Sequence, residues 1–167
     1  MRIRTGANLI TAAALAVVAL AFAASNYAAD TAAHRHDTAA SGALKLNDGK
    51  KWSGDAPLRQ AMASIKTTVE NNVAAVHAGK LNAASYKAIA GEVNGQVAFM
   101  VQNCKLDKDA DEVLHAILAQ MLAGAAEMEG ENKKAKPRAG FLKVVQGLDS
   151  YGRHFDHPGW RAVKAAH

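Results

Sequence analysis

The stretch Asp109–Gly130, DADEVLHAILAQMLAGAAEMEG, decides the fold. Val113, Leu114, Ile117, Leu118, Met121, Ala125 and Met128 recur at spacings of three and four, which makes one apolar stripe along an α-helix and excludes strand alternation. Asp107 or Asp109 stands where a helix start favours a carboxylate, and Gly130 stands where a helix stops. A helix with one apolar stripe cannot bury it alone, so the rest of the chain must supply partners.

Three further segments do so. Upstream, Leu58, Met62, Ile65, Val69, Val73 and Val76 form a stripe that begins behind Asp55 and Pro57 and ends at Gly79. Asp55 is an N-cap candidate, and proline is tolerated in a first turn where its missing N–H costs nothing. Asn82 caps the next pattern, whose stripe is Tyr86, Ile89, Val93, Val97, Met100 or Val101, and Cys104. Downstream of the Gly130–Pro137 connection, Phe141, Leu142, Val145, Leu148, Tyr151 and Phe155 form a fourth stripe that breaks before Pro158-Gly159. Each helix spans about 17–24 residues, or roughly 25–35 Å at 1.5 Å per residue. Short connections make neighbours antiparallel, so the expected fold is all-α, an antiparallel up-down-up-down four-helix bundle over residues 55–167 with a short C-terminal tail.

The N-terminus reads differently. Arg2 and Arg4 precede an unbroken apolar run, Leu9–Ala24, with Ala21-Phe22-Ala23 as a cleavage pattern. Residues 1–23 are therefore expected to be a signal peptide that is removed on export to a Gram-negative periplasm, in preference to a retained membrane anchor. Residues 24–54 lack periodicity and read as a flexible leader, including the alternating pair His34 and His36. Loss of Arg2 and Arg4 takes the formal charge from +5 to +3. With its charges dispersed and no basic aromatic stripe, an exported chain of this kind is not expected to bind nucleic acid. No stable membrane span remains after cleavage. The single cysteine, Cys104, cannot close an internal disulfide; exposed, it would allow a homodimer.

In an up-down-up-down bundle the starts of helices one and three share an end with the finishes of helices two and four. That rule gathers Trp52, Met62, Met100, Cys104, His115, His154, His157 and Trp160 toward one end and leaves His77 and Met128 at the other. Thiolate, thioether and imidazole suit copper, zinc or haem iron, and together they favour copper(I). The expected metal ligands are Met62, Cys104, His115 and His157, with Asp156 beside His157 as a group that could orient its ring. The competing reading packs Met62 and Cys104 as core, leaves His115 in solvent, and makes the chain a cofactor-free interaction or stress scaffold. There is no C-x-x-C-H, C-x-x-C or H-E-x-x-H, and the lone E-x-x-H, Glu112 to His115, falls short of the paired motif of a di-iron bundle. No Ser-His-Asp or paired-carboxylate spacing indicates an enzyme.

The arrangement of Met62 in LRQAM and His154 in SYGRHF resembles that of the soluble periplasmic b-type cytochromes and, more distantly, the cytochromes c-prime. The resemblance covers about residues 55–155. It implies a haem ligated by Met62 and His154, with His157 as the substitute ligand. The segments LNDGKKW, NCKL and YGRHFDHPGW also resemble those of uncharacterised exported proteobacterial proteins, which supply no activity to transfer.

Overall fold

A computed structural model of the chain describes residues 44–131 and 134–164. The expected signal peptide, the leader as far as residue 43, and His34 and His36 lie outside them. The described residues are all-helical apart from two two-residue strands. In chain order they are β1 (Trp52–Ser53), α1 (Ala56–His77), α2 (Ala83–Asn103), α3 (Lys108–Glu129), α4 (Pro137–His154) and β2 (Phe155–Asp156). None of the helices among them is long and apolar enough to cross a membrane.

The helix boundaries follow their capping chemistry. Asp55 Oδ1 accepts the Leu58 N–H at 2.9 Å ahead of Pro57, and Asn82 Oδ1 accepts the Ser85 N–H at 2.9 Å. Each bond satisfies a donor that the first helical turn leaves unpaired. Asp107 occupies the N-cap position of α3 without a capping hydrogen bond, but Asp109 and Asp111 place negative charge in its first turn. Gly130 closes α3 at φ +84°, a conformation that glycine takes without steric cost.

One core holds the helices together. The α1 stripe is buried throughout, as are Tyr86, Ile89, Val93, Val97 and Met100 of α2 and the complete α3 stripe. Two expectations shift. Val101 is 71% exposed, so Met100 is the member of that pair that faces inward. Leu142 is 38% exposed, and Val144 is buried in its place. The α4 face that meets α3 runs through Gly140, Val144 and Gly147, which turns Leu142 outward.

The α3–α4 contact is close because it is built on glycine. A Cβ added to Gly124 would stand 2.5 Å from the Gly140 carbonyl oxygen, and one added to Gly140 would strike the Gly124 carbonyl. Two backbones therefore touch where other helix pairs interpose side chains.

Residues 44–54, read from the sequence as the end of a flexible leader, hold defined structure. Asn47 and Lys50 exchange two backbone hydrogen bonds across Asp48 and Gly49, which sit at φ 48° and 80° as a tight reverse turn demands. The buried Trp52 donates its indole N–H to the Lys45 carbonyl at 2.7 Å. β1 then pairs in parallel with β2, Trp52 opposite Phe155 and Ser53 opposite Asp156. Lys51 Nζ bonds the Gly152 carbonyl at 2.6 Å. The segment ahead of α1 is thus fastened to the segment that follows α4.

Candidate functional site at one end of the helices

Asp55 organises this end. While Oδ1 caps α1, Oδ2 accepts the Lys105 N–H at 2.7 Å, just past the end of α2. The same carboxylate faces the Cys104 thiol and opposes its ionisation. One side chain therefore joins the start of α1 to the finish of α2. Arg59, one turn into α1, donates to the Gly54 carbonyl behind it.

Cys104 is the C-cap residue of α2, with extended backbone angles and a half-buried side chain. Burial pushes its thiol up to about 12, and the neighbouring carboxylates of Asp55 and Asp111 push in the same direction. At neutral pH the sulfur keeps its proton, which excludes a free thiolate nucleophile. The same carboxylates have the opposite effect on a cation. A metal ion that displaced the proton would be drawn in by the charges that hold the proton there.

Cys104 and His115 line one cavity of about 200 Å³ together with Met100 and Asp111. Its remaining walls are Val101, Leu114 and Leu118. The side chain of His115 is 69% exposed, and its Nδ1 lies 2.9 Å from the Asp111 carbonyl oxygen. A carbonyl oxygen only accepts, so in the neutral ring Nδ1 carries the proton and Nε2 carries the lone pair. This pattern of one nitrogen bonded to a backbone carbonyl and the other free is how metal-binding imidazoles are oriented.

His157 lies in different surroundings. The Tyr151 hydroxyl and His157 Nδ1 are 2.9 Å apart, and Tyr151 itself is fully buried. Phe155 stacks on the Tyr151 ring at 5.4 Å and 16°, and Trp160 meets it edge-on at 4.8 Å and 75°. Burial and then the Arg59 charge lower the His157 pKa, with Asp156 opposing them. Burial raises that of Tyr151. His157 lines a second cavity with Trp160, Lys66 and Arg161.

Two of the four expected metal ligands, Cys104 and His115, thus share a cavity. Met62 is fully buried in the core, and Met100 is the methionine beside the cysteine. His157 lines another cavity, and His154 is half-buried with Nδ1 2.7 Å from the Ser150 carbonyl. Among the described residues, no group of three or more His, Cys, Asp or Glu side chains is placed to hold a metal ion. Sequence reasoning named Asp55 only as a helix cap and Tyr151 only as core. The aromatic density of YGRHFDHPGW was the available signal for the second, and nothing local signalled the link from Asp55 to Lys105. No family model matches this chain, and no curated protein or solved structure matches it either.

Proposed function

We propose that the chain is an exported, periplasmic, non-enzymatic metal-binding protein, an up-down-up-down antiparallel four-helix bundle with copper(I) as its preferred ion. The site is the α2–α3 junction, with Cys104 and His115 as donors and the Met100 thioether completing a soft set. The observation that supports this reading is the cavity those three side chains share, beside the carboxylates of Asp55 and Asp111. Met62 and His157, expected in the same set, lie outside that cavity.

The test is titration of the purified mature protein with copper(I) against a competing chelator, with the absorption spectrum of the protein as isolated. The expected result is one high-affinity equivalent, lost in Cys104→Ser and weakened at least tenfold in His115→Ala. No uptake, or uptake indifferent to both substitutions, rejects the site. A haem band that disappears in Met62→Ala and His154→Ala replaces copper with the haem implied by the cytochrome resemblance.

A second reading, the cofactor-free scaffold, draws on the burial of Met62 and the exposure of His115. It predicts a protein that is isolated without metal and takes none up on reconstitution.

A further inference from the structure

Three open cavities adjoin the C-terminal segment Trp160–Lys164, and basic side chains line all of them. Lys66 and Arg161 line the first with Trp160, Lys51 and Arg153 line the second with Trp160, and Lys66, Arg161 and Lys164 line the third. Only two carboxylates, Asp149 and Glu70, belong to these linings. Five cations against two acids leave +3, as much as the formal charge of the whole chain once Arg2 and Arg4 are gone. The three cavities share lining residues, Trp160 between two of them and Lys66 with Arg161 between two, so these cations form one continuous basic surface.

We propose that this face docks on a bilayer surface rich in anionic phospholipid. The cations come from four separate stretches: the residue before β1, α1, α4 and the tail. They are spread over neighbouring cavities and do not converge on one point, which suits a plane of many phosphates better than a single small anion. Among the described residues Lys51, Arg153, Arg161 and Lys164 have no carboxylate partner, so their charge is not neutralised within the protein; Lys66 alone is paired, with Glu70. Val163 is buried in the core while Arg161 and Lys164 on either side are exposed, so the tail is anchored with its charges outward. Trp160 lines two of the three cavities, with Lys66 Nζ 5.9 Å from its ring. Its indole packs inward on Tyr151 and His157, so Trp160 holds the basic tail in place and the cations make the contact.

The experiment is co-sedimentation of the mature protein with phosphatidylcholine vesicles that contain or lack phosphatidylglycerol. Binding is expected only where phosphatidylglycerol is present, with release in 1 M salt, where the screening length falls to about 3 Å. Each basic side chain near an anionic surface contributes about fivefold to partitioning. The triple variant Arg153→Glu, Arg161→Glu, Lys164→Glu should therefore lose at least roughly a hundredfold. The exposed positions Lys80→Glu, Lys87→Glu and Lys108→Glu change the net charge equally and should leave most of the binding; circular dichroism verifies that both triple variants fold. Absence of binding to phosphatidylglycerol, or equal losses in the two variants, overturns the proposal. So does saturable pyrophosphate binding, read by tryptophan fluorescence, without vesicle binding, since that defines a small-anion site.

Discussion

The α3–α4 contact and the end of the molecule around Asp55 are both well determined, but by different physics. Gly124 and Gly140 let two helix backbones touch, so the contact depends on the absence of side-chain volume. At the other region Asp55, Leu58, Lys105, Tyr151 and His157 are held by directed hydrogen bonds. A close-packed contact is intolerant of added atoms. A hydrogen-bonded end tolerates small changes of volume but depends on each partner and on its protonation state. The packed contact carries charge as well, since Lys143 Nζ of α4 bonds Glu127 Oε1 of α3 at 2.6 Å and the Glu127 side chain lies against Gly140.

The largest effect should come from breaking the tight contact. Gly140→Val would drive its side chain into the Gly124 carbonyl and the Glu127 side chain. Overpacking of this kind costs about 1–3 kcal/mol and more where backbone must move, so a loss of about 3 kcal/mol or more is expected in urea unfolding. A variant with unchanged midpoint would show that α3 and α4 can separate freely.

The next effect tests the hydrogen-bonded end. Asp55→Ala removes the α1 cap together with the acceptor of the Lys105 N–H. Loss of a helix cap costs about 0.5–2 kcal/mol, and the second bond places this case at the upper end. Asn82→Ala, whose side chain bonds only Ser85, is the matched control and should cost about half as much. Equal losses would mean that the link between α1 and α2 adds nothing.

These two cases also mark what was legible beforehand. Stripes of Leu, Ile, Val and Met announce helices because burial imposes the 3.6 period on every partner alike. Asp55 and Asn82 were readable as caps because their partners lie three residues away. The second bond of Asp55 spans fifty residues, and no local pattern encodes it. Gly124 and Gly140 were invisible for a related reason: a glycine inside a helix registers only as weak propensity until its neighbour is known. The candidate site shows the same limit. Cys104 and His115 line one cavity with Met100, which precedes Cys104 by one turn of α2, whereas Met62 is buried in the core. Which methionine stands beside the cysteine depends on packing that stripe periodicity does not encode.

Glycine outside the tight contact sharpens the contrast with opposite sign. Gly91 and Gly95 lie within α2, and a Cβ on either meets nothing within 4 Å. Replacing such a glycine with alanine reduces the freedom of the unfolded chain without strain in the folded one. Gly91→Ala should therefore stabilise by about 0.4–1 kcal/mol. A loss there would place Gly91 in a contact the fold does not show.

The smallest effect is a pH dependence confined to the hydrogen-bonded end. His157 has a folded pKa below its unfolded value of about 6.5, because burial and Arg59 disfavour the imidazolium. In that window the unfolded chain binds more protons than the folded one, so stability rises with pH. The contribution is fully present above about 6.5 and is lost as pH falls through that value toward the folded pKa. His157 is only half-buried, and solvent screening keeps the term below the effect of a single helix cap. Urea midpoints at pH 7.5 and 5.5 should therefore differ less in His157→Gln than in the parent, with the other histidines contributing equally to both. An undiminished difference would remove His157 as its source. Gly91→Ala, whose Cβ meets nothing within 4 Å, should raise both midpoints while leaving the interval between them unchanged.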